Sequence, residues 1–369
     1  MRVWSLPVAA ICGCCLMGCD NRPPATPINP SAPAVEEANK KVESHAAVTP
    51  AKPAEPIAKT LIPTEPPIQP SQDPLREIAA RLVEPNDIGG WRISESAALE
   101  LERLGPDAPA KLLPLMSDAQ LEVRRGSAFH LLSCFDPSSP AQVAAFTKAL
   151  GDQDATIRGI GLQAVKQLPP ADIAAAAPQL IAMLDPKLEA KYENRSAIVR
   201  LAGSLGPKGS EFIDSLGKSA TNDPDERVRS AALFAISQVA TPEQSLPTLR
   251  QGLADKQPAV RLVAAGRLRN LAAKAEPAAE DLAAALADSD ERVRTSAAEA
   301  LVRIGPSAQA ALTKALESKD VNARKLALAC LSSLGPAAKS ALPAIEKAQT
   351  DADKDISEAA KVLAERLKQ

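Results

Sequence analysis

Aromatic residues are nearly absent: Phe, Tyr and Trp together make up 2% of the 369 residues. That excludes a core built on ring packing and leaves Ala and Leu, on helices that approach closely, to fill the interior. Histidine is scarcer still, with two residues, His45 and His130. No Ser-His-Asp triad, Cys-His pair or His-rich metal cluster can be assembled from so few. Cys12, Cys14, Cys15 and Cys19 take four of the six cysteines into the N-terminal segment, so the cysteine count says nothing of a disulfide framework. Charge of one sign is not in excess, with 43 Lys plus Arg against 45 Asp plus Glu. No strong global field therefore draws the chain to nucleic acid or to anionic membranes. The one sustained apolar run, Leu6 to Met17, is too short to span a bilayer as a permanent helix.

What is present begins with that run. Behind Met1-Arg2 it reads as a secretory signal, residues 1–18, ending Leu16-Met17-Gly18-Cys19. This resembles the lipobox of bacterial lipoproteins, which implies that Cys19 carries the lipid and begins the mature chain. Ile11-Cys12-Gly13-Cys14 is a weaker match, and Asp20 after the lipid-bearing Cys implies, in some lipoproteins, retention at the inner membrane. Residues 19–72 are rich in Pro, Ala, Thr and Ser, with Pro23-Pro24 and Pro66-Pro67 and no apolar periodicity. They read as a disordered tether leaning to polyproline II, and His45 as a solvated residue within it.

From Ser94 onward the chain returns nine times to one register: an apolar residue, then usually Arg, then small or apolar residues three, seven and ten places later. The anchors are Ser94, Arg124, Arg158, Arg195, Arg229, Arg261, Arg294, Arg324 and Ser357, 30 to 37 residues apart. A period of that size means stacked supersecondary units. The apolar positions fall within roughly 80° on an α-helix, and such a stripe has to be covered by neighbouring units. In the Arg294 unit they are Val293, Ala297, Leu301 and Ile304. Asp73-Pro74 marks the start of the first helix. Gly105-Pro106, Gly206-Pro207, Gly305-Pro306 and Gly335-Pro336 end helices, Gly by taking a left-handed cap and Pro by forbidding continuation. Pro169-Pro170 and Thr241-Pro242 take their place in other units. Cys134 and Cys330, six units apart, lie roughly 60 Å from each other at ~10 Å per layer, out of disulfide reach. Both are read as small buried hydrophobes.

This signature resembles HEAT repeats, in the shorter form known as phycobilisome-lyase-type HEAT-like repeats, over residues 73–369. The resemblance implies an all-α fold, a right-handed α-solenoid of about nine helix-turn-helix repeats. It also implies a ladder of ion pairs between successive repeats, made by an Asp in the turn and an Arg six residues later. The matching positions are Asp118 and Arg124, Asp152 and Arg158, Asp223 and Arg229, Asp255 and Arg261, and Asp288 and Arg294. Glu189 replaces Asp before Arg195, Ser318 breaks the pattern before Arg324, and Ser94 and Ser357 replace Arg at the two ends, as suits capping repeats.

The sequence carries few patterns that point to chemistry. Asp351-Ala-Asp353-Lys-Asp355 has the opening of a calcium loop but carries Ile356 where Gly is required and Val362 where Glu is required, so helix capping explains it better. Gly159 and Gly161 fall inside a repeat helix with no strand before them and make no dinucleotide loop. Neither a metal nor a cofactor is expected. The resemblance raises an enzyme alternative, a lyase-like activity on a bound tetrapyrrole or a protein modification, which export and the scarcity of aromatics oppose. Near-neutral charge and export likewise oppose nucleic-acid binding.

The surface offers a better lead. Positions one, five and eight after each anchor point away from the apolar stripe, and the resemblance places their helices on the concave side. In the central units they include Arg125, Phe129, Lys166, Arg200, Phe234 and Arg269, and toward the ends Glu95, Glu102, Glu299, Glu358 and Glu365. A basic centre with two Phe between acidic ends suits an extended acidic peptide or another envelope protein. The expectation is a monomeric, non-catalytic interaction scaffold, lipid-anchored at the bacterial envelope and facing the periplasm or the outer envelope. A plain structural spacer is the other reading that stacked helices allow.

Overall fold

The computed structural model describes residues 73–85 and 90–369. The expectations for the signal sequence, Cys19, His45 and the Pro-rich tether lie outside the described residues. Helix α1 (Pro74–Arg81) starts where Asp73-Pro74 predicts, with the Asp73 carboxylate accepting from the amide of Leu75. An antiparallel hairpin follows, β1 (Val83–Pro85) and β2 (Trp91–Ile93), with Val83 opposite Ile93 and Pro85 opposite Trp91. Next come α2 (Glu95–Arg103), α3 (Ala108–Lys111), α4 (Leu121–Ser133), α5 (Pro140–Ala149) and α6 (Ala155–Val165). The middle is α7 (Pro170–Ala175), α8 (Ala177–Ala182), α9 (Tyr192–Ser204), α10 (Ile213–Asn222), α11 (Glu226–Val239) and α12 (Pro242–Gly252). The remainder is α13 (Pro258–Leu271), α14 (Ala279–Ala284), α15 (Glu291–Ile304), α16 (Gln309–Ala315), α17 (Val321–Leu334), α18 (Leu342–Ala348) and α19 (Lys354–Lys368).

Among the described residues nine helices stack in one row, each packed on the next: α1, α4, α6, α9, α11, α13, α15, α17 and α19. The helices between them pack beside this row, α10 against α11, α12 against α13 and α18 against α19. The apolar stripe is what the row buries. Val293, Ala297 and Leu301 are inaccessible to solvent and Ile304 nearly so, each covered by the adjacent layers as one helix alone could not cover it. The chain is therefore an all-α solenoid.

Its first layer differs from the sequence reading. Ser94 precedes α2, which packs on α1 and α3, while the helix that stacks on α4 is α1. The contact is close enough that a Cβ on Gly126 of α4 would fall 1.9 Å from the carbonyl oxygen of Ala79. The hairpin and α2 thus lengthen the first repeat, and its anchored helix lies 48 residues before that of the second, counting Arg76 to Arg124.

The rows are tied together by guanidinium groups. Arg229 on α11 shows the pattern: its Nη1 donates to the carbonyls of Asp223 and Pro224 in its own turn, 2.9 and 3.3 Å away. Its Nε and Nη2 reach forward to the two carboxylate oxygens of Asp255 in the next turn, at 2.7 and 2.9 Å. Asp255 in turn accepts from the amide of Gln257, which fixes its own turn. The same forward rung joins Arg76 to Asp118, Arg124 to Asp152, Arg158 to Glu189, Arg195 to Asp223, Arg261 to Asp288 and Arg324 to Asp351. Within one unit, six residues apart, Arg meets the Asp backbone; the carboxylate it grips belongs to the following unit. Two details of the sequence reading change accordingly. Ser318 deprives Arg294, and Arg324 keeps its rung through Asp351. Arg76 supplies a rung where Ser94 has none.

The buried interior falls into two clusters that share α6, which gives Ile157, Ile160 and Ala164 to the N-terminal one and Leu162 and Val165 to the other. Across this seam α6 and α9 touch least of any neighbours in the row. Here the acid is Glu189, one methylene longer than Asp, and it is wholly buried with Arg158. The Nη2 of Arg158 also donates to the carbonyl of Leu188 at 2.8 Å. Cys330 is buried as expected, and burial pushes its thiol up to about 12. Cys134 is exposed instead, because α4 ends at it and the chain turns outward.

Two consequences are measurable. Gly305 and Gly335 close α15 and α17 at φ 82° and 57°, and at the equivalent place after α13 stands Ala272, at φ 52° and ψ −129°. A side chain is strained there, so Ala272→Gly should stabilise the protein by ~1 kcal/mol in denaturant unfolding. The ladder also predicts acid lability. Hydrogen bonds from Arg324 and from the amide of Asp353 hold the Asp351 carboxyl below its ordinary range. Burial pushes Asp255 and Asp288 up, but the partner guanidinium and the amide two residues on more than offset it, leaving both lowered. A lowered folded-state pKa means that the unfolded chain binds more protons, so this stabilisation is complete above the ordinary value of ~4 and is lost as pH falls through the folded value. The melting temperature should stay level from neutrality to about pH 5 and decline steadily below ~4.

Candidate functional site

The face of the anchored helices opposite the buried stripe is where the predicted binding residues lie, and the structure divides them. At the N-terminal end the hairpin sits on α4. The Trp91 ring lies 4.3 Å from the Arg125 guanidinium, and Arg125 pairs with Asp154 at 2.7 Å. Phe129 packs into the N-terminal core. Arg125 and Phe129 are therefore tied into the scaffold. His130, beside them, is half-buried; burial lowers its pKa. Lys166 is exposed, its ammonium near Gln163, and Arg200 folds back onto the Ser196 hydroxyl one turn before it.

Phe234 and Arg269 have a different setting. An open groove of about 660 Å³ runs across α11, α13 and α15 and is lined by Phe234, Leu262, Gly266, Arg267, Arg269 and Glu299. Its cause is readable in the residue five places after each anchor: Phe234 on α11, Gly266 on α13, Glu299 on α15. Glycine removes the side chain that would fill the middle position, and Phe234 is left 49% exposed on the rim. A Cβ at Gly266 would meet nothing closer than the Ser296 hydroxyl at 3.9 Å, so the helix itself does not require glycine there.

Arg267, absent from the sequence reading, is the unusual cation of the groove. Its guanidinium stacks 4.4 Å from the Phe234 ring, its Nε is buried without a hydrogen-bond partner, and no carboxylate pairs with it among the described residues. Burial, followed by repulsion from Arg269, lowers its pKa. By contrast Arg269 pairs with Glu299, forming a bar across the groove. A signal for Arg267 did exist, since it follows the glycine directly, but it lies six places after the anchor and so outside the outward positions one, five and eight.

Beyond the bar the trough continues. Five places after the anchor stand Ala329 on α17 and Val362 on α19, and two further hollows of about 440 Å³ each lie along these helices. Val362, 67% exposed, stands at the far end as Phe234 does at the near one. Six cations, among them Arg267, Arg303 and Arg366, line the three hollows against the carboxylates of Glu291, Glu299 and Asp355. The open part of the face is thus its C-terminal half, where the linings hold more cations than carboxylates although Arg269, Arg292 and Lys325 are paired. The acids of the calcium-like run are otherwise employed: Asp351 holds Arg324, Asp353 caps α19, and Asp353 and Asp355 hold Lys325. No group of three or more potential metal ligands occurs among the described residues.

Stacked helix pairs with a repeated inter-layer rung define a helical-repeat solenoid. The family described as HEAT repeats matches residues 177–269, 213–302 and 279–364, slightly more than half of the chain, and the protein belongs to that family. Solved structures with detectable likeness include a designed armadillo repeat protein, 22% identical, covering 52% of this chain and 99% of its own, at a TM-score of 0.32. Escherichia coli YibA is 20% identical, covering 75% of this chain and 98% of its own, at 0.39. A mutant of Kap121p is 15% identical, covering 71% of this chain and 33% of its own, at 0.47. No curated protein matches the chain.

Proposed function

We propose that the protein is a non-catalytic binding scaffold whose trough from Phe234 to Val362 receives an extended acidic segment of a protein partner. The observation that carries this reading is the groove at Gly266, where an exposed ring and an unpaired, partly desolvated guanidinium lie side by side. A carboxylate gains most from a guanidinium already stripped of water, and an apolar side chain gains from covering the Phe234 ring. The trough crosses five layers, roughly 40 Å at ~10 Å per layer, which accommodates about 12 extended residues at 3.3 Å each. The Arg residues of the ladder are read as structural. Binding without catalysis rests on the two histidines of the whole sequence.

The address is part of the same proposal. The run Leu6 to Met17, leading into Leu16-Met17-Gly18-Cys19 at its end, supports export and lipid attachment at Cys19, with residues 20–72 as the tether that holds the solenoid away from the membrane. Attachment through one lipidated residue leaves the trough free to search a volume set by the tether.

Photocrosslinking from position 234 or 303 in cells, followed by membrane fractionation, tests both halves. One dominant protein should be captured in the membrane fraction, capture should vanish in Gly266→Leu, and Cys19→Ala should release the solenoid to the soluble fraction. Leucine is favoured over glycine in a helix by ~1 kcal/mol, so the blocking variant keeps its fold. Unchanged capture in Gly266→Leu refutes the trough, and an unchanged membrane fraction in Cys19→Ala refutes the anchor.

A further inference from the structure

The joint between α15 and α17 lacks what the other rungs have. Arg294 is anchored as its counterparts are, its Nη1 donating to the carbonyls of Asp288 at 2.8 Å and Ser289 at 3.2 Å. For Arg261, held by Asp255 and Lys256 in the same way, Nε and Nη2 then meet the Asp288 carboxylate at 2.6 and 2.7 Å. The turn facing Arg294 offers Ser318. Its hydroxyl accepts from the amide of Asp320 at 3.2 Å, the role played by one carboxylate oxygen in every other turn of the ladder. Serine supplies neither the second oxygen nor the charge. No acceptor among the described residues takes the Nε and Nη2 of Arg294.

We propose that this joint binds a small monocarboxylate ion from solution, whose two oxygens accept from Nε and Nη2 of Arg294 as the Asp288 side chain does from Arg261. The guanidinium is already fixed by two carbonyls, so the ion finds its donors oriented and loses little to ordering them. Surrounding charges set the class of ligand. Arg324 lies close, its Nη1 on the Ser318 carbonyl at 3.0 Å. Asp288 is neutralised by Arg261, and Asp320 directs one oxygen at the amide of Ala323 but adds negative potential. That balance favours a planar monoanion, which matches the fork of Arg294, over a dianion such as hydrogen phosphate. Bound, the ion restores the one interrupted rung and joins the C-terminal two layers to the rest as firmly as the other layers are joined.

The test is a titration of the full chain with sodium formate, against sodium chloride at matched ionic strength, following the arginine Nε–H signals by NMR. The Arg294 signal, identified by its loss in Arg294→Lys, should move saturably with a midpoint roughly ten-fold below the concentration that moves the exposed Arg303. In Ser318→Asp, which places in this turn the acid that others carry, that signal should start at its displaced position and no longer respond. An Arg294 signal that follows Arg303 without saturating, or one that still responds in Ser318→Asp, overturns the proposal. Inorganic phosphate binding more tightly than formate would overturn the assignment to a monocarboxylate.

Discussion

A guanidinium that grips the next turn by a carboxylate, at seven of the eight joints between the described layers, and in all but the first of these also holds its own turn by the backbone, is the constraint on which the stack depends. The apolar contacts between layers are made mostly by Ala and Leu, which pack closely but specify register weakly because their surfaces are alike. A bidentate Arg-carboxylate pair is directional, and a slip of one residue would leave a buried charge unpaired. Buried pairs of this kind add little net stability, since desolvation offsets much of the attraction. Their contribution here is to make one stacking arrangement far better than its neighbours. The α6 to α9 seam illustrates this, where the two helices touch least and the rung is among the most buried, Glu189 being inaccessible and Arg158 almost so.

The sequence made the repeat legible because the rung needs two residue types at a fixed spacing and the stripe needs apolar residues at helical spacing. Val293, Ala297, Leu301 and Ile304 could be placed inside from their positions alone. What it could not show was which carboxylate each Arg meets, because the six-residue interval inside a unit is a local coincidence of the motif while the contact spans the turn of the next. Ser318 therefore looked like a defect of its own unit, whereas its effect falls on Arg294. The first layer was hidden for another reason: a hairpin inserted after α1 displaces Arg76 from the period, and nothing local to Pro74–Arg81 marks it as an anchored helix.

The outward face was legible in the sequence, and the open groove on it lies further along the chain than the basic centre read from the residues. Outward positions were rightly read as a face, and Phe234 and Arg269 lie together on it. The basic centre was set too far toward the N-terminus, since no pattern in Trp91 announces that it stacks on Arg125, 34 residues on. The groove comes from a residue without a side chain. Gly266 is invisible to any search for functional groups, yet it determines where the face opens and leaves Arg267 beside an exposed ring.

Whether the rungs set register more than they supply net stability can be decided at the most buried one. Thermal unfolding would be measured for Arg195→Met, Asp223→Leu and the pair together. If register is their contribution, Arg195→Met, which leaves Asp223 buried and unpaired, loses about 3–5 kcal/mol, and the double variant recovers most of it. A double variant as unstable as the single one would mean that the ion pair itself holds the layers together, contrary to a role in register.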